Sequence, residues 1–189
     1  MTVLRPCAKI KAYINGKGAI RTVRGNNIVL IGMPGCGKST LGVVLAKLLC
    51  MDFVDVDLLI QQRVGMGLQD YIDRFGTDAF LRVEAQVLAA LDVTNTVIAT
   101  GGSAPLHPVG AARLQELGEV VWLDLPLSEI EKRVTNLSTR GIAMRAGETL
   151  ADVYAYRTPY YEALCDRRIK LEGTDIAAGA LLLRDLLKK

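Results

Sequence analysis

A phosphate-binding loop is encoded near the start of the chain, where Gly32-Met-Pro-Gly-Cys-Gly-Lys-Ser39 matches G-x-x-x-x-G-K-[ST] in full. Its glycines allow successive main-chain N–H groups to face one point, and a helix that starts there adds the positive end of its dipole. The Lys38 ammonium can then reach the β- and γ-phosphates, and the Ser39 hydroxyl is a natural Mg²⁺ ligand. The motif therefore predicts a nucleoside triphosphate site, with contacts from Gly35, Cys36, Gly37, Lys38, Ser39 and Thr40.

Two carboxylates follow at the end of the apolar run Phe53–Val56, namely Asp55 and Asp57. At i and i+2 of a strand, both side chains point to the same face. One could hold metal-bound water, and the other could orient an acceptor hydroxyl and take its proton during phosphoryl transfer. Two alternatives stay open: the acids could be solvated caps of a helix starting near Leu58, or Asp124 could supply the metal-associated carboxylate.

Strands that alternate with helices are needed to position these groups. After residue 27, short apolar runs alternate with segments of helical period, which is typical of βαβ units and predicts a parallel sheet with helices on both faces. The predicted strands are Ile28–Ile31, Phe53–Val56, Thr96–Ala99, Val120–Leu125 and Ile169–Leu171. One predicted helix follows the loop, with Leu41, Val44, Leu45 and Leu48 at helical spacing. The others cover roughly 58–65, 68–75, 78–91, 106–117, 127–136, 149–164 and 174–187.

The composition supports one globular domain. The chain has 189 residues, of which 50% are apolar and 23% charged, and these fractions exclude wholesale disorder and collagen-like repeats. Its apolar runs are shorter than the roughly 18–20 residues that a membrane helix needs, so we expect no membrane partner. Four scattered cysteines and one histidine give neither a zinc site nor a disulfide framework. We therefore expect a cytoplasmic protein, and a monomer.

The positive charge is confined to the first part of the chain. Residues 1–27 carry six Lys or Arg and no acid, so that the rest of the chain has a net charge of −3. A domain with a net negative charge is poorly suited to bind along the phosphate backbone of a nucleic acid, so we expect no nucleic-acid partner. Residues 1–26 form either a basic leader or a hairpin around Asn15-Gly16.

Three further motifs give the chain a resemblance to a known family. Together with the phosphate-binding loop, Asp55-Val-Asp57, Thr100-Gly-Gly-Ser103 and Arg157-Thr-Pro-Tyr-Tyr161 resemble shikimate kinase over residues 27–189. The resemblance implies a three-layer P-loop fold with a five-stranded parallel sheet, a substrate-binding segment at about 57–92 and a lid at about 137–148. It also implies ATP and Mg²⁺ as cofactors, and phosphorylation of shikimate to shikimate 3-phosphate in aromatic amino acid biosynthesis.

The resemblance implies roles for individual residues on the phosphate side and in the lid. Lys38 and Ser39 would hold phosphate and Mg²⁺, with Asp55 as a further metal partner. Arg133 would stack on adenine. Arg140, in the lid, would reach the transferring phosphate, and Arg145 is its rival for that role.

On the acceptor side, the resemblance implies that Asp57 binds the acceptor hydroxyl and acts as the base. Gly101 and Gly102 would present main-chain N–H groups to the substrate at a range that excludes a side chain. Arg157 would pair with an anionic group of the substrate. Independently of the resemblance, Arg157 lies on the apolar face of its predicted helix, where a guanidinium needs an anion or a buried partner.

The chain departs from the family pattern on the acceptor side. Leu81 stands where the family has the arginine that holds the shikimate carboxylate, and Arg82 is displaced by about 100° around the helix. Ser103 replaces the third glycine of a Gly-Gly-Gly motif, and Arg140-Gly-Ile-Ala replaces Arg-Pro-Leu-Leu. These departures leave open a kinase for another small hydroxylated acceptor. A non-catalytic nucleotide-binding module and a nucleic-acid ATPase are the alternatives from other classes.

Overall fold

The computed structural model describes residues 12–14, 20–22, 25–134, 141–144 and 147–187. The elements in these ranges are, in chain order, β1 (Ala12–Ile14), β2 (Ile20–Thr22), β3 (Asn27–Ile31), α1 (Lys38–Leu49), β4 (Asp52–Asp55), α2 (Val56–Val64), α3 (Leu68–Phe75), α4 (Thr77–Ala90), β5 (Thr96–Ala99), α5 (Pro108–Leu117), β6 (Gly118–Asp124), α6 (Leu127–Arg133), α7 (Leu150–Leu164), β7 (Arg167–Lys170) and α8 (Ile176–Leu187), with a short 3₁₀ turn at Ala104–Leu106 before α5.

Strand β3 is the centre of a five-stranded sheet in the order β4-β5-β3-β6-β7, and every neighbouring pair is parallel. All five residues of β3 are buried, as expected of a strand that is covered on both faces. The predicted α/β architecture with a five-stranded parallel sheet is therefore confirmed. Strands β1 and β2 pair with each other antiparallel in a separate two-stranded sheet.

Several predicted boundaries are wrong by one to three residues, and two of these differences have a clear physical reason. Val56 was expected to end a strand, but β4 stops at Asp55, whose side chain caps α2. Strand β7 begins at Arg167 rather than near Ile169. It lies at the edge of the sheet, and its first residues, Arg167 and Arg168, are exposed and charged, so a search for apolar runs does not detect them. Neither shift moves a candidate functional residue away from the sheet edge where the others lie.

The core is formed by the sheet and the helices on its two faces. Trp122 of β6 and Tyr161 of α7 are both fully buried, and their rings lie 5.9 Å apart between centroids. In the described ranges, no helix is both long enough and apolar enough to span a bilayer. The loops that follow β3, β4 and β5 all emerge at the carboxyl ends of the strands, where ligands bind in open α/β sheets.

Candidate active site

The loop between β3 and α1 has the backbone shape of an anion cradle. Gly35 and Gly37 have φ values of +81° and +98°, which residues with a side chain rarely adopt. Helix α1 begins at Lys38, and no side chain of a described residue caps it. Its first N–H groups therefore stay available to an anion in the adjoining cavity, and the helix dipole favours negative charge there.

The ammonium of Lys38 lies over this loop. The side chain is buried, and Nζ donates hydrogen bonds to the carbonyls of Gly32 and Met33, both at 2.9 Å. The Sγ atom of the buried Cys36 is 3.8 Å from the same nitrogen. These contacts hold a positive charge at the rim of the cradle.

A cavity of about 620 Å³ opens from this loop along the carboxyl ends of the strands. It brings together the phosphate-binding loop, the acidic residue after β4 and the glycines after β5, as the motifs predict. At its far end it is bounded by Arg133 and by the segment between β7 and α8. The lining includes Gly35, Cys36, Gly37, Lys38, Ser39, Thr40, Asp57, Phe80, Gly101, Gly102, Ser103, Arg133, Leu171, Thr174 and Asp175.

The two carboxylates at the end of β4 have different environments. The side chain of Asp55 accepts a hydrogen bond from the Asp57 main-chain N–H at 2.9 Å and caps α2, so the pair spans a strand–helix junction rather than one face of a strand. Asp57 is half-buried, and its burial raises the pKa of its carboxyl to about 6. The charge of Lys38 lowers this pKa, and the charge of Asp55 raises it, both by less than burial does. Both acids line a second cavity of about 550 Å³, which also contains Ser39.

The glycines after β5 leave no room for a side chain. A Cβ on Gly101 would lie 2.3 Å from Oε1 of Glu84 and 2.9 Å from Oδ1 of Asp57. A Cβ on Gly102 would lie 2.9 Å from Nη1 of Arg157. The Tyr161 hydroxyl donates a 2.6 Å hydrogen bond to the Gly102 carbonyl and fixes this turn from α7. The turn thus places main chain, an acid and a guanidinium side by side.

Arg157 satisfies the expectation of a buried partner through main chain. The residue is only 2% exposed, and its guanidinium donates a hydrogen bond to the carbonyl of Ala143. It also lies beside Gly102, which lines the cavity. A guanidinium in this position can present its remaining N–H groups to an anion.

Glu84 of α4 is a site residue that we did not predict from the sequence. It is 1% exposed, and its Oε2 accepts a 2.8 Å hydrogen bond from the Ser103 hydroxyl. Glu84 lies four residues after Phe80 and four before Leu88, on the buried stripe of the helix. An acid on an apolar stripe at that spacing is the signal that could have revealed it.

Residues 81 and 82, where the chain differs from the family pattern, have different environments. Leu81 is half-buried and packs against the core, whereas Arg82 is exposed. The displaced arginine does not occupy the position of Leu81. An apolar side chain thus stands at residue 81, and Leu81 lines neither of the two cavities described above.

The arginines predicted to contact the nucleotide differ in how far they can be described. Arg133 of α6 lines the large cavity, is exposed, and pairs with Glu129 at 3.3 Å. Arg140 and its rival Arg145 lie outside the described residues. Of the predicted lid, residues 141–144 and 147–148 are described, and Gly141, Ile142 and Ala143 line the cavity.

Comparison with known families agrees with the motifs. The family model described as shikimate kinase matches residues 34–185 of the chain. A shikimate kinase of Moorella thermoacetica is 35% identical over 164 residues, covering 86% of this chain and 94% of that protein. A shikimate kinase of Nitrosomonas europaea is 38% identical over 139 residues, covering 71% of this chain and 65% of that protein.

Solved structures give the same result. Shikimate kinase from Acinetobacter baumannii in complex with shikimate superposes with a TM-score of 0.77 at 28% identity, covering 88% of this chain and 97% of that one. Shikimate kinase from Aquifex aeolicus gives a TM-score of 0.69 at 26% identity, covering 85% of this chain and 95% of that one.

Proposed function

The chain belongs to the shikimate kinase family, and from this premise we propose that it transfers the terminal phosphoryl group of ATP to a hydroxyl of shikimate, giving shikimate 3-phosphate. The observation that carries the proposal is the single cavity shared by the Lys38 loop, Asp57 and the Gly101–Gly102 turn. A phosphate cradle and a carboxylate in one cavity are the parts that phosphoryl transfer to an alcohol requires.

On the nucleotide side, the residues divide into those for phosphate and those for adenine. The N–H groups of residues 35–40 and the Lys38 ammonium would bind the phosphates and neutralise the charge that develops during transfer. Arg133 would cover adenine at the far end of the cavity, since its guanidinium can stack on a flat ring. Arg140 would reach the transferring phosphoryl group from the lid.

The residues around the second cavity are suited to magnesium. Ser39 and Asp55 both line it and offer hard oxygen ligands, and Asp55 uses one oxygen for the helix cap. No group of three or more His, Cys, Asp or Glu side chains converges within the described residues. When bound, Mg²⁺ would neutralise charge on the phosphates of ATP. Ser39 and Asp55 are the residues that would hold it.

On the acceptor side, Asp57 would orient the attacking hydroxyl and receive its proton. The raised pKa of Asp57, about 6, makes this carboxylate a stronger base than an exposed aspartate. The main chain of Gly101 and Gly102 would contact the substrate closely, and Arg157 would bind its carboxylate. Excluding water while these groups are assembled would be the task of the lid.

One observation favours the alternative that the acceptor is a metabolite other than shikimate. Leu81 is half-buried and offers no charge to a carboxylate, so that Arg157 would bind the anion without a second arginine at residue 81. This arrangement suits a small hydroxylated metabolite that carries a weaker or differently placed anion. It leaves the phosphate side of the proposal unchanged.

Release of ADP, followed across a panel of hydroxy acids and uncharged polyols, tests the proposal. Saturable release with shikimate, and shikimate 3-phosphate identified by mass spectrometry, is the expected result. Turnover with another acceptor but not with shikimate would support the alternative. Nucleotide binding without acceptor-dependent turnover would refute both. We further expect a cytoplasmic monomer with no nucleic-acid partner, which sedimentation and nucleic-acid titration can examine.

A further inference from the structure

The Glu84 carboxyl is the most unusual polar group near the acceptor site. Its Oε2 accepts a hydrogen bond from Ser103 at 2.8 Å, but its Oε1 has no hydrogen-bond partner among the described residues and is shielded from solvent. Buried carboxyl oxygens in native proteins are nearly always paired. A protonated Oε1 would change from an acceptor into a donor, so its partner would then be another acceptor.

The carboxylate of Asp57 is an acceptor that borders the same glycine as Glu84. The ideal Cβ position of Gly101 lies 2.3 Å from Oε1 of Glu84 and 2.9 Å from Oδ1 of Asp57, so both oxygens lie near this one point of the turn. Two ionised carboxylates near each other repel, so the charge of Asp57 raises the pKa of Glu84 and favours its protonated form.

Burial favours the uncharged form of Glu84 more than the groups that face it do. The titratable and charged groups that face it are Asp57, Arg157, Lys38 and Tyr161. The Arg157 guanidinium bonds the Ala143 carbonyl, and the Lys38 ammonium bonds two carbonyls of its own loop, so these cations are engaged elsewhere. Burial raises the pKa of Glu84 to about 8; the Ser103 bond and the two cations oppose that rise, and Asp57 adds to it. At neutral pH, Glu84 therefore carries a proton.

We propose that Glu84 is a positioning residue, which donates a hydrogen bond from its free carboxyl oxygen to the carboxylate of Asp57 while Ser103 fixes its other oxygen. The inference rests on the proposed function, in which Asp57 receives the proton of the acceptor hydroxyl. The proton of Glu84 stays on Glu84 throughout, and the proton of the hydroxyl passes to Asp57. Glu84 thereby fixes the rotamer of the base relative to the hydroxyl, on which the rate depends steeply.

Substitutions of Glu84 separate donation from packing. Glu84→Gln keeps the shape and offers an amide N–H donor, so kcat should stay within about threefold of wild type. Glu84→Leu removes the donor and should lower kcat by about tenfold to a hundredfold while KM for ATP is unchanged. Equal losses of kcat in Glu84→Gln and Glu84→Leu would overturn the proposal. Thermal melts establish whether each variant is folded, and if Glu84→Leu is not, the pH profile of Glu84→Gln still decides.

The pH profile of kcat gives a readout that a purely structural role would not change. Wild-type kcat should fall as Glu84 loses its proton above about pH 8, and Glu84→Gln should lack this fall. Ser103→Ala should move the fall to higher pH, because the Ser103 hydrogen bond stabilises the ionised form. An identical basic limb in wild type, Glu84→Gln and Ser103→Ala would contradict the assignment.

A measurement without substrate separates this inference from the proposed function. The infrared carbonyl band of a protonated carboxylic acid should be present at pH 7.5 in wild type and reduced in Glu84→Gln. Should wild type fail to phosphorylate shikimate, the proposed function fails, but the band still tests the protonation of Glu84. Spectra of wild type and Glu84→Gln that do not differ in this band would overturn the inference whatever the acceptor is.

Discussion

The Arg157 guanidinium donates a hydrogen bond to the main-chain carbonyl of Ala143, and so joins α7 to a described part of the predicted lid. The same guanidinium lies beside Gly102, which lines the acceptor cavity. Two other side chains hold the segment: Gln69 accepts a hydrogen bond from the Gly141 N–H at 3.2 Å, and the Thr77 hydroxyl donates to the Met144 carbonyl at 3.1 Å. An acceptor anion bound by Arg157 would therefore contact the same side chain that anchors this segment of the predicted lid.

Replacing Arg157 should weaken acceptor binding specifically. Arg157→Ala removes a charged donor next to the acceptor cavity, so KM for shikimate should rise by about tenfold or more, whereas KM for ATP should stay nearly constant. Steady-state kinetics with each substrate varied in turn measure both values. Arg184→Ala, on the far part of α8, is the control for loss of one positive charge. A parallel rise of both KM values would indicate a general loss of structure instead.

Tyr161 should stabilise the turn that carries the two glycines. Tyr161→Phe removes the donor of the 2.6 Å hydrogen bond and leaves the Gly102 carbonyl without it, which should cost about 1–3 kcal/mol of unfolding free energy. Urea denaturation measures this loss. Tyr160→Phe is a matched control, because the hydroxyl of Tyr160 is exposed and bonds only the Tyr156 hydroxyl at 3.4 Å among described groups. Equal stability of the two variants would show that the buried bond contributes nothing.

The sequence predicts the sheet better than the contacts at its edge. Strand β5 has the predicted bounds, Thr96–Ala99, because a run buried on both faces is apolar throughout. The Ser103–Glu84 bond was beyond prediction, since it joins residues 19 apart through the packing of α4 against the turn after β5. The buried position of Arg157 was predictable from the face of the helix on which it lies. Its partner Ala143 was not, because that contact also depends on tertiary packing.

An arginine at residue 81 should strengthen the grip on a carboxylate. Leu81→Arg restores a guanidinium at the residue where the family pattern has one, and should lower KM for shikimate by about tenfold. An analogue without the carboxylate should show no such gain. Arg82→Ala is the control, since Arg82 is exposed, and should leave both KM values within about twofold. A strong effect of Arg82→Ala would mean that this neighbour already reaches the acceptor.

Removing the proposed base should stop transfer without preventing nucleotide binding. Asp57→Asn keeps the size of the side chain but cannot take a proton, so kcat should fall by about a hundredfold to ten-thousandfold. The Lys38 loop is intact in this variant, so fluorescent ATP analogues should bind as they do to wild type. Loss of nucleotide binding together with kcat would assign Asp57 to the phosphate side rather than to the acceptor.

The buried carboxyl of Glu84 should make stability depend on pH. The pKa of Glu84 is about 8 in the folded protein and near its ordinary value of 4.5 in the unfolded chain. Between these two values the folded state binds the proton and the unfolded state does not, so the stability from this group is complete below pH 4.5 and is lost as pH rises through about 8. Glu84→Gln lacks this dependence.

Urea unfolding at pH 5 and pH 8.5 measures the effect. The stability of wild type relative to Glu84→Gln should fall by a few kcal/mol between the two pH values, because each unit of pKa difference corresponds to about 1.4 kcal/mol. Glu116→Gln, at an exposed position on α5, is the matched control for exchanging a carboxyl for an amide. A relative stability that is the same at both pH values would mean that Glu84 has the same pKa in the folded and unfolded states. In that case its free oxygen would carry no proton at neutral pH, and it could not hold Asp57 by donating one.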